Sequence, residues 1–320
     1  MGHLKKILCI SVCLTVLLFS AGCGQTGQSA EKGTGNAYAA ITDDAGQTVV
    51  LQEKPQRVVV LSGSLLHFAA AVDGDVVGRV SLNSDDTLIP EKYKAAAEVG
   101  PVYQVSTEKT VALQPDLIIA VKGQHDKIAG VFRANGIPVL LLSTKSYDDV
   151  KRNMTCIARI YGKEKEGQEQ LAAMAAKIDA ICGKVDGHGK KAAILHATAK
   201  NVTLELPRTI AGSTAELLGF ENIAAAAAQT TDGDRVPYSM ETLVEADPDV
   251  IFITTMGKGN NVDARLQQYI NDTDAWQSLS AVRKGRVYVL PENLFLINPG
   301  LDYPQALAFM AHAVWPEVVL

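Results

Sequence analysis

The feature that most constrains the fold is a break in an otherwise regular alternation of strands and helices. Buried, β-branched strand sequences alternate with helical sequences as far as a strand predicted at 137–142. Two helical stretches then follow one another, Tyr147 to Tyr161 and Lys163 to Val185, and the alternation restarts at Lys191. At ~1.5 Å per residue the second stretch forms a helix over 30 Å long, and it has no strand partner. The pattern predicts two α/β lobes joined by one long helix.

Each predicted lobe has the pattern of a doubly wound α/β domain. The two halves share one signature, a helix, a Pro-Asp turn and a buried strand, at 107–119 and again at 240–252. The carboxyl ends of the strands in such sheets point toward ligands, so two lobes on a strut place those ends across a shared cleft. The predicted segments are a first lobe at 41–162, a linker helix at 163–186 and a second lobe at 187–320.

The first residues predict a targeting segment with a lipid attachment site. Two lysines precede an apolar run, Ile7 to Phe19, that is too short to span a bilayer and is typical of a signal peptide. The small residues before Cys23 resemble the lipobox of bacterial lipoproteins. We expect a signal peptide at 1–22, a lipid on Cys23 that holds the protein outside the cytoplasm, and a flexible tether at 23–40. The alternative is an ordinary secretory signal with a chance cysteine.

Composition restricts the kinds of partner. About 280 residues remain beyond the tether, enough for two domains of ordinary size. A hydrophobic content of 47% supplies their cores, and the net charge of -5 is mild. No basic run indicates nucleic-acid binding. Cys156 and Cys182 lie in predicted helices, where buried free thiols are favoured over a disulfide.

Motifs that would indicate an enzyme are missing from the sequence. It contains no G-x-S-x-G, no H-E-x-x-H, no P-loop and no G-x-G-x-x-G. No spacing links its histidines and aspartates into a catalytic mechanism. We therefore expect a binding protein with no cofactor of its own, rather than an enzyme. A lipid-anchored sensor or adhesion module on the same fold stays open as an alternative.

Five stretches carry a family resemblance through their order along the chain. They are Pro55 to Ser62, Leu113 to Ile119, Gly219 to Ile223, Val236 to Glu241 and Trp276 to Tyr288. Together they resemble the substrate-binding proteins of ABC importers for iron-siderophores, haem and cobalamin. The resemblance implies two Rossmann-like lobes joined by a single rigid helix, a ligand cleft between the lobes, and small opening movements. It also implies a monomer that works with an ABC permease and its ATPase and binds a small metal chelate.

Three residues of the first lobe are candidates for ligand contact. His67 follows the first strand, in the first turn of its predicted helix, where relatives often carry Glu. Its imidazole suits iron or cobalt, and the alternative is a histidine that only hydrogen-bonds at a helix start. Tyr103 lies two positions after the axial tyrosine of haem-binding relatives, which favours cleft contact over direct ligation. These two are the candidate axial metal ligands, and Lys122, after a strand end, is a weaker contact candidate.

Five residues of the second lobe complete the predicted ligand site. His196 ends the lobe's first strand and Met256 follows another, so both are expected at the cleft. Arg235 and Tyr238 precede a helix, and Arg235 could clamp a carboxylate, phosphate or haem propionate. The alternative for Arg235 is a solvated loop charge. Phe295, in the apolar loop after the last strand, is expected to wall the cleft.

The predicted residues favour one class of ligand and one mode of docking. His67, Tyr103, His196 and Met256 favour haem or siderophore iron as the ligand, with cobalamin as the alternative. The resemblance further implies that one acidic residue on each lobe pairs with arginines of the permease. Asp126 and Glu241 occupy those positions, each in the first turn of a predicted helix. There a carboxylate could instead only complement the helix dipole.

Overall fold

The structure is a computed structural model that describes residues 37–81, 89–198, 200–237, 239–255, 273–297 and 299–319. Three residues of the predicted sites, Cys23, Tyr238 and Met256, lie outside the described residues. Residues from Ala37 onward cluster as one unit. Within the described ranges, no helix is both long enough and apolar enough to cross a membrane.

The first sheet is built from short strands rich in β-branched residues. The strands of this half are β1 (Ala39–Thr42), β2 (Thr48–Leu51), β3 (Val58–Val60), β4 (Gly78–Ser81), β5 (Ala97–Pro101), β6 (Leu117–Val121) and β7 (Val139–Leu142). Five of them form a parallel sheet in the order β5-β4-β3-β6-β7, and β1 pairs with β2 as an antiparallel hairpin. Every residue of β3 and β7 is buried, as expected for parallel strands covered on both faces.

Serine caps fix where several helices of the first lobe begin. The helices are α1 (Gly63–Ala71), α2 (Thr107–Ala112), α3 (Asp126–Ala134) and α4 (Tyr147–Tyr161), with a short 3₁₀ helix at Glu91–Tyr93. The hydroxyl oxygens of Ser62, Ser106 and Ser146 each accept a hydrogen bond from a backbone N–H three residues on. Gly136 follows α3 in the left-handed conformation, which is common for the glycine that ends a helix.

The second sheet mixes parallel and antiparallel pairing. Its strands are β8 (Lys191–Ala197), β9 (Val202–Glu205), β10 (Glu221–Asn222), β11 (Arg235–Pro237), β12 (Val250–Thr255) and β13 (Val287–Leu290). The order is β11-β9-β8-β12-β13, and β10 also pairs with β8. Strands β8, β12 and β13 are parallel, whereas β9 is antiparallel to both β8 and β11. The predicted α/β class with two sheets is therefore confirmed.

The helices of the second half complete the layers. They are α5 (Glu164–Cys182), α6 (Ile210–Leu217), α7 (Met240–Ala246), α8 (Asp274–Ser278), α9 (Ser280–Arg283), α10 (Glu292–Phe295) and α11 (Tyr303–Val314), with 3₁₀ helices at Ala225–Gln229 and Gly300–Asp302. Helix α5 connects the sheets and packs against α1 and α4 on one side and against α11 on the other. It is 19 residues long, about 28 Å. The helix ends at Cys182, with Gly183 as its C-cap, whereas the prediction extended it to Val185.

Close packing holds α5 against the first lobe. A Cβ atom added at Gly167 would lie 2.4 Å from the Cβ of Ala158, so only glycine allows this approach of α5 to α4. The largest hydrophobic cluster runs through α1, α4, α5 and α11 and includes residues from both sheets, such as Val60 and Phe252. Because this core is continuous between the lobes, separating them would expose apolar surface to water.

The two described cysteines carry free thiols, as the sequence favoured. The Sγ atom of Cys182 donates a hydrogen bond to the carbonyl oxygen of Leu217, 3.2 Å away. Burial raises the pKa of Cys156 to about 12, so its thiol stays protonated and unreactive at neutral pH.

Candidate ligand-binding cleft

A cavity of about 470 Å³ lies where the carboxyl ends of the first-lobe strands meet the segment that follows β13. Ser62, Val102, Gln124 and Thr144 reach it just after β3, β5, β6 and β7, which is where parallel sheets bind ligands. The segment 292–305 forms the facing wall. The lining residues are Ser62, Gly63, Ser64, His67, Val102, Tyr103, Val121, Gln124, Thr144, Glu292, Asn293, Leu294, Leu296, Ile297, Pro299, Asp302 and Gln305.

His67 lines this cavity from α1. The helix begins at Gly63 because Ser62 caps it, two residues earlier than the sequence indicates. His67 therefore lies in the second turn, and its placement in the first turn was wrong. Its side chain is half-buried between the helix and the cavity.

Tyr103 lines the same cavity from the loop after β5. Its side chain is 79% exposed. A tight turn presents it, in which the N–H of Gln104 donates to the carbonyl oxygen of Pro101 at 2.8 Å. Gly100 makes the turn possible with a φ of +110°, since a Cβ there would lie 2.8 Å from the carbonyl oxygen of Gln104. The structure thus brings the two candidate metal ligands, His67 and Tyr103, to one cavity.

The facing wall comes from α10 and the segment after it, but Phe295 does not line it. Phe295 is 2% exposed and packs edge-on against Phe309 of α11, with ring centroids 6.2 Å apart. The prediction that it walls the cleft is wrong. It anchors the short helix, and this leaves its neighbours Leu294 and Leu296 to line the cavity.

The charged groups of the described lining are acidic. Glu292 and Asp302 supply carboxylates, and no lysine or arginine lines the cavity among the described residues. Lys122, predicted as a contact, instead donates from Nζ to the carbonyl oxygen of Asp44 in the turn of the β1–β2 hairpin. The nearby backbone acceptor holds this ammonium group outside the lining.

His196 belongs to a buried polar network rather than to the described lining. It is 5% exposed, and its Nδ1 lies 2.9 Å from the hydroxyl oxygen of Thr254 on the neighbouring strand. That hydroxyl donates to Oε1 of Glu205 at 2.6 Å, so its oxygen is left to accept from His196 Nδ1–H. The predicted cleft contact by His196 is therefore not seen, because buried partners hold the imidazole.

Arg235 joins the same network from β11. Its Nη2 atom lies 3.3 Å from Oε1 of Glu205. Strand β9 is antiparallel to β8, so Val202 lies level with Ala197 at the cleft end and Glu205 lies deeper. Arg235 pairs with Glu205 at that deeper level and does not reach the described lining, contrary to prediction.

Glu205 is ionised at the centre of this network. Burial opposes its ionisation, but the interactions with His196, Arg235 and Thr254 outweigh burial and hold the pKa of Glu205 below its ordinary value. Its Oε2 atom has no hydrogen-bond partner among the described residues. The contacts of this carboxylate with His196, Arg235 and Thr254 all involve its other oxygen, Oε1.

The two candidate docking residues lie in helices that differ in their place in the lobes, since α3 follows β6 and α7 precedes β12. Asp126 is the first residue of α3, where its Oδ2 accepts a hydrogen bond from the N–H of Gly123. Glu241 is the second residue of α7, after the capping Ser239. Both side chains are exposed and lie in the first turn of a helix, as predicted.

Residues 58–294 match the family of periplasmic binding proteins. The chain belongs to this family. The putative ABC transporter substrate-binding lipoprotein YhfQ of Bacillus subtilis is 27% identical over 315 residues, which cover 95% of this chain and 96% of the relative. The Fe(3+) dicitrate-binding periplasmic protein FecB of Escherichia coli is 29% identical over 281 residues, covering 85% and 89%. Staphylococcus aureus SirA complexed with staphyloferrin B shares the fold, with a TM-score of 0.70 at 20% identity, covering 86% of this chain and 98% of SirA.

Several residues that line this cavity were not predicted from the sequence. Gln124 and Thr144 lie within three residues of the ends of β6 and β7, so the strand-end rule that found Lys122 could have found them. Asp302 and Gln305 carry no such signal. They reach the cavity because the segment after β13 folds back onto the first lobe, where Gly300 lies against Phe68.

Proposed function

We propose that this periplasmic binding protein is the lipid-anchored substrate-binding protein of an ABC importer, and that it captures an iron complex for delivery to the permease. The cleft supports this proposal, because the strand ends of the first lobe and the facing wall enclose a cavity of about 470 Å³. This size suits small ligands. The names of YhfQ and FecB support the same role, the first as a transporter lipoprotein and the second as a ferric-chelate binder.

The pair His67 and Tyr103 favours a ligand that contains iron. Imidazole and phenolate both bind ferric iron, and both residues line the cavity. Two donors are fewer than the coordination sphere of iron requires, so the iron would arrive with most of its own chelator. Haem or an iron-siderophore complex fits this requirement. A corrinoid is the alternative, because imidazole also binds cobalt.

The N-terminal segment would hold the binding protein at the membrane. A lipid on Cys23 and the polar tether after it would keep the cleft outside the cytoplasm while allowing it to reach the permease. Replacing Cys23 with Ala should release the protein from membranes into the soluble fraction. Continued membrane association of Cys23→Ala would contradict the lipid anchor.

Docking on the permease would use the outer surface of each lobe. Asp126 and Glu241 are exposed carboxylates in the first turn of a helix on each lobe, and paired arginines on the permease could bind both at once. The helix dipole explains either carboxylate alone, but not why each lobe presents one. We assign these two residues to recognition of the permease, and we propose that the binding protein docks as a monomer.

The visible spectrum of the purified protein tests the ligand class. The protein is produced in cells grown with haem, with ferric dicitrate, with a ferric hydroxamate or with cyanocobalamin, and is then purified. We expect a Soret band or a ferric charge-transfer band that weakens in His67→Ala. A corrin spectrum would move the assignment to cobalamin. If the protein purified from each of the four cultures has no chromophore, an iron or corrinoid ligand is contradicted. Binding without a defect in uptake on gene deletion would indicate a sensor.

A further inference from the structure

An ion pair connects the two lobes directly, beside the ligand cleft. The Nζ atom of Lys145 lies 2.5 Å from Oδ2 of Asp234. Lys145 follows β7, which is an edge strand of the first sheet, and Asp234 precedes β11, which is an edge strand of the second. The two groups are partly exposed, at 47% and 22%. The pair therefore joins the edges of two separate sheets without belonging to the continuous apolar core.

Both partners of this pair stand on rigid backbone. The N–H of Lys145 donates to Oδ2 of Asp149 at 2.7 Å, and the hydroxyl of Ser143 donates to the same oxygen at 2.6 Å. On the other side, the carbonyl oxygen of Asp234 accepts from the N–H of Leu206 at 2.9 Å. The next residue, Arg235, is paired with buried Glu205. Because these bonds hold the backbone beside both partners, we expect a movement of one lobe against the other to act on the ion pair.

The position of the pair relates it to the cavity. Lining residues follow the strands from β5, with Tyr103 at one edge of the first sheet, to β7, with Thr144 at the other edge. Thr144 immediately precedes Lys145. A second groove of about 470 Å³ between the lobes begins at Ser146, just past the pair. Lys145 therefore lies along the chain between a lining residue of the cavity and one of this groove, at the Thr144 end of the cleft.

We propose that Lys145 and Asp234 form an ionic tie that keeps the lobes together at the Thr144 end of the cleft and slows ligand release. The ligand then enters and leaves at the opposite end, where Tyr103 is exposed. The control of ligand release rests on the proposed function. The ion pair between the lobes does not depend on any ligand. Both residues are positioning residues, because neither lines the described cavity.

Charge reversal and its rescue test the tie without a ligand. In the purified full-length protein, hydrogen–deuterium exchange is measured at 143–148, which carries Lys145, and at 204–209, where the N–H of Leu206 is bonded to Asp234. Lys145→Glu and Asp234→Lys should each speed exchange in both segments, because like charges then face each other. The double variant Lys145→Glu with Asp234→Lys should restore slow exchange. Equal exchange in all four proteins, or a double variant as fast as the singles, would overturn the tie.

Release of a probe measures the effect on binding. Hemin and ferric dicitrate are the probes, and their dissociation is followed by stopped-flow absorbance. We expect each single reversal to speed release up to about fivefold, the upper range for an exposed ion pair, and the double variant to return to within twofold of wild type. An unchanged release rate in the single variants would limit the pair to a structural role and overturn the proposed control of release.

A matched ion pair within one lobe serves as the control. Glu91 and Lys94 pair at 2.6 Å, and Lys94 is 45% exposed, close to the value for Lys145. Exchanging these two charges should change neither exchange at 143–148 nor probe release. If neither hemin nor ferric dicitrate binds the wild type, these two chelates are excluded as ligands, while the exchange measurement still decides whether the tie exists.

Discussion

The first lobe lines the cleft with residues that directly follow its parallel strands, whereas the second lobe draws its predicted contacts into a buried network. His67 and Tyr103 lie against the cavity. The equivalent candidates of the second lobe, His196 and Arg235, face Glu205 instead. The described second-lobe wall comes from the segment after β13.

Strand direction explains this difference. All five strands of the first sheet are parallel, so each carboxyl end opens at the same edge and offers the next residues to a ligand. In the second sheet, antiparallel β9 brings Glu205 under the strand ends, within reach of His196 and Thr254. A buried carboxylate needs partners, and the nearest polar side chains supply them. Strand-end position therefore predicts a ligand contact only where no antiparallel strand intervenes.

The largest expected effect concerns docking on the permease, in which both lobes should take part in the same way. Asp126→Lys combined with Glu241→Lys should abolish transport of the bound chelate and ligand-stimulated ATPase activity, because both docking carboxylates would repel permease arginines. Ligand affinity should stay unchanged, since neither residue lines the cavity. Uptake in whole cells and the affinity of the purified protein are the measurements. Glu53→Lys with Glu245→Lys, exposed acids elsewhere on the two lobes, is the control. Full transport by the docking variant would refute the assignment.

The second test separates structure from binding in the second lobe. Glu205→Ala should lower the free energy of unfolding by about 3 kcal/mol, because it leaves His196 and Arg235 without their buried partner. The affinity of the refolded protein should change less than twofold. Urea denaturation measures the stability, with exposed Glu245→Ala as the control. A stable Glu205→Ala variant with weakened binding would place the network in the ligand site and break the comparison.

The third test makes the same distinction with two histidines. His67→Ala or Tyr103→Ala should weaken binding of the chelate more than tenfold, about 1.4 kcal/mol, with little loss of stability. His196→Ala should do the reverse, because its imidazole contacts buried groups. Fluorescence titration and thermal unfolding measure the two effects. Unchanged affinity in both first-lobe variants would remove His67 and Tyr103 from the site and leave Met256 as a coordination candidate.

Sequence patterns predict the overall architecture of this protein better than they predict its ligand-binding residues. The buried runs at β3, β6, β8 and β12 and the two consecutive helices predict the α/β class and the helical connection between the sheets, whereas the order of the strands comes from the structure. Strand β5 is harder to recognise, because only Val99 of its residues is fully buried. The failures of Phe295, His196 and Arg235 share one cause. Each side chain was placed from its position along the chain, while its direction depends on distant partners such as Phe309 and Glu205.

The smallest expected effect is a dependence on pH that belongs to the second lobe. The pKa of Glu205 in the folded protein lies below its ordinary value of 4.5, so its ionised form stabilises the fold. That stabilisation is fully present above pH 4.5 and is lost as the pH falls through the folded pKa. At pH 7, Glu205→Gln should therefore be less stable than wild type by on the order of 1 kcal/mol, since the amide replaces a charged acceptor.

The same variant should approach wild type in stability as the pH is lowered below 4.5, because the wild-type carboxyl then also becomes neutral. Glu216, on α6 of the same lobe, provides a control of opposite sign. Burial raises the pKa of Glu216, so Glu216→Gln should stabilise the protein at pH 7 and lose that advantage in acid. Urea unfolding of the three proteins at pH 7 and at pH 4 measures both trends. A Glu205→Gln difference that stays constant with pH would show that folding does not lower the pKa of Glu205, and that the inward-facing network is not held by its charge.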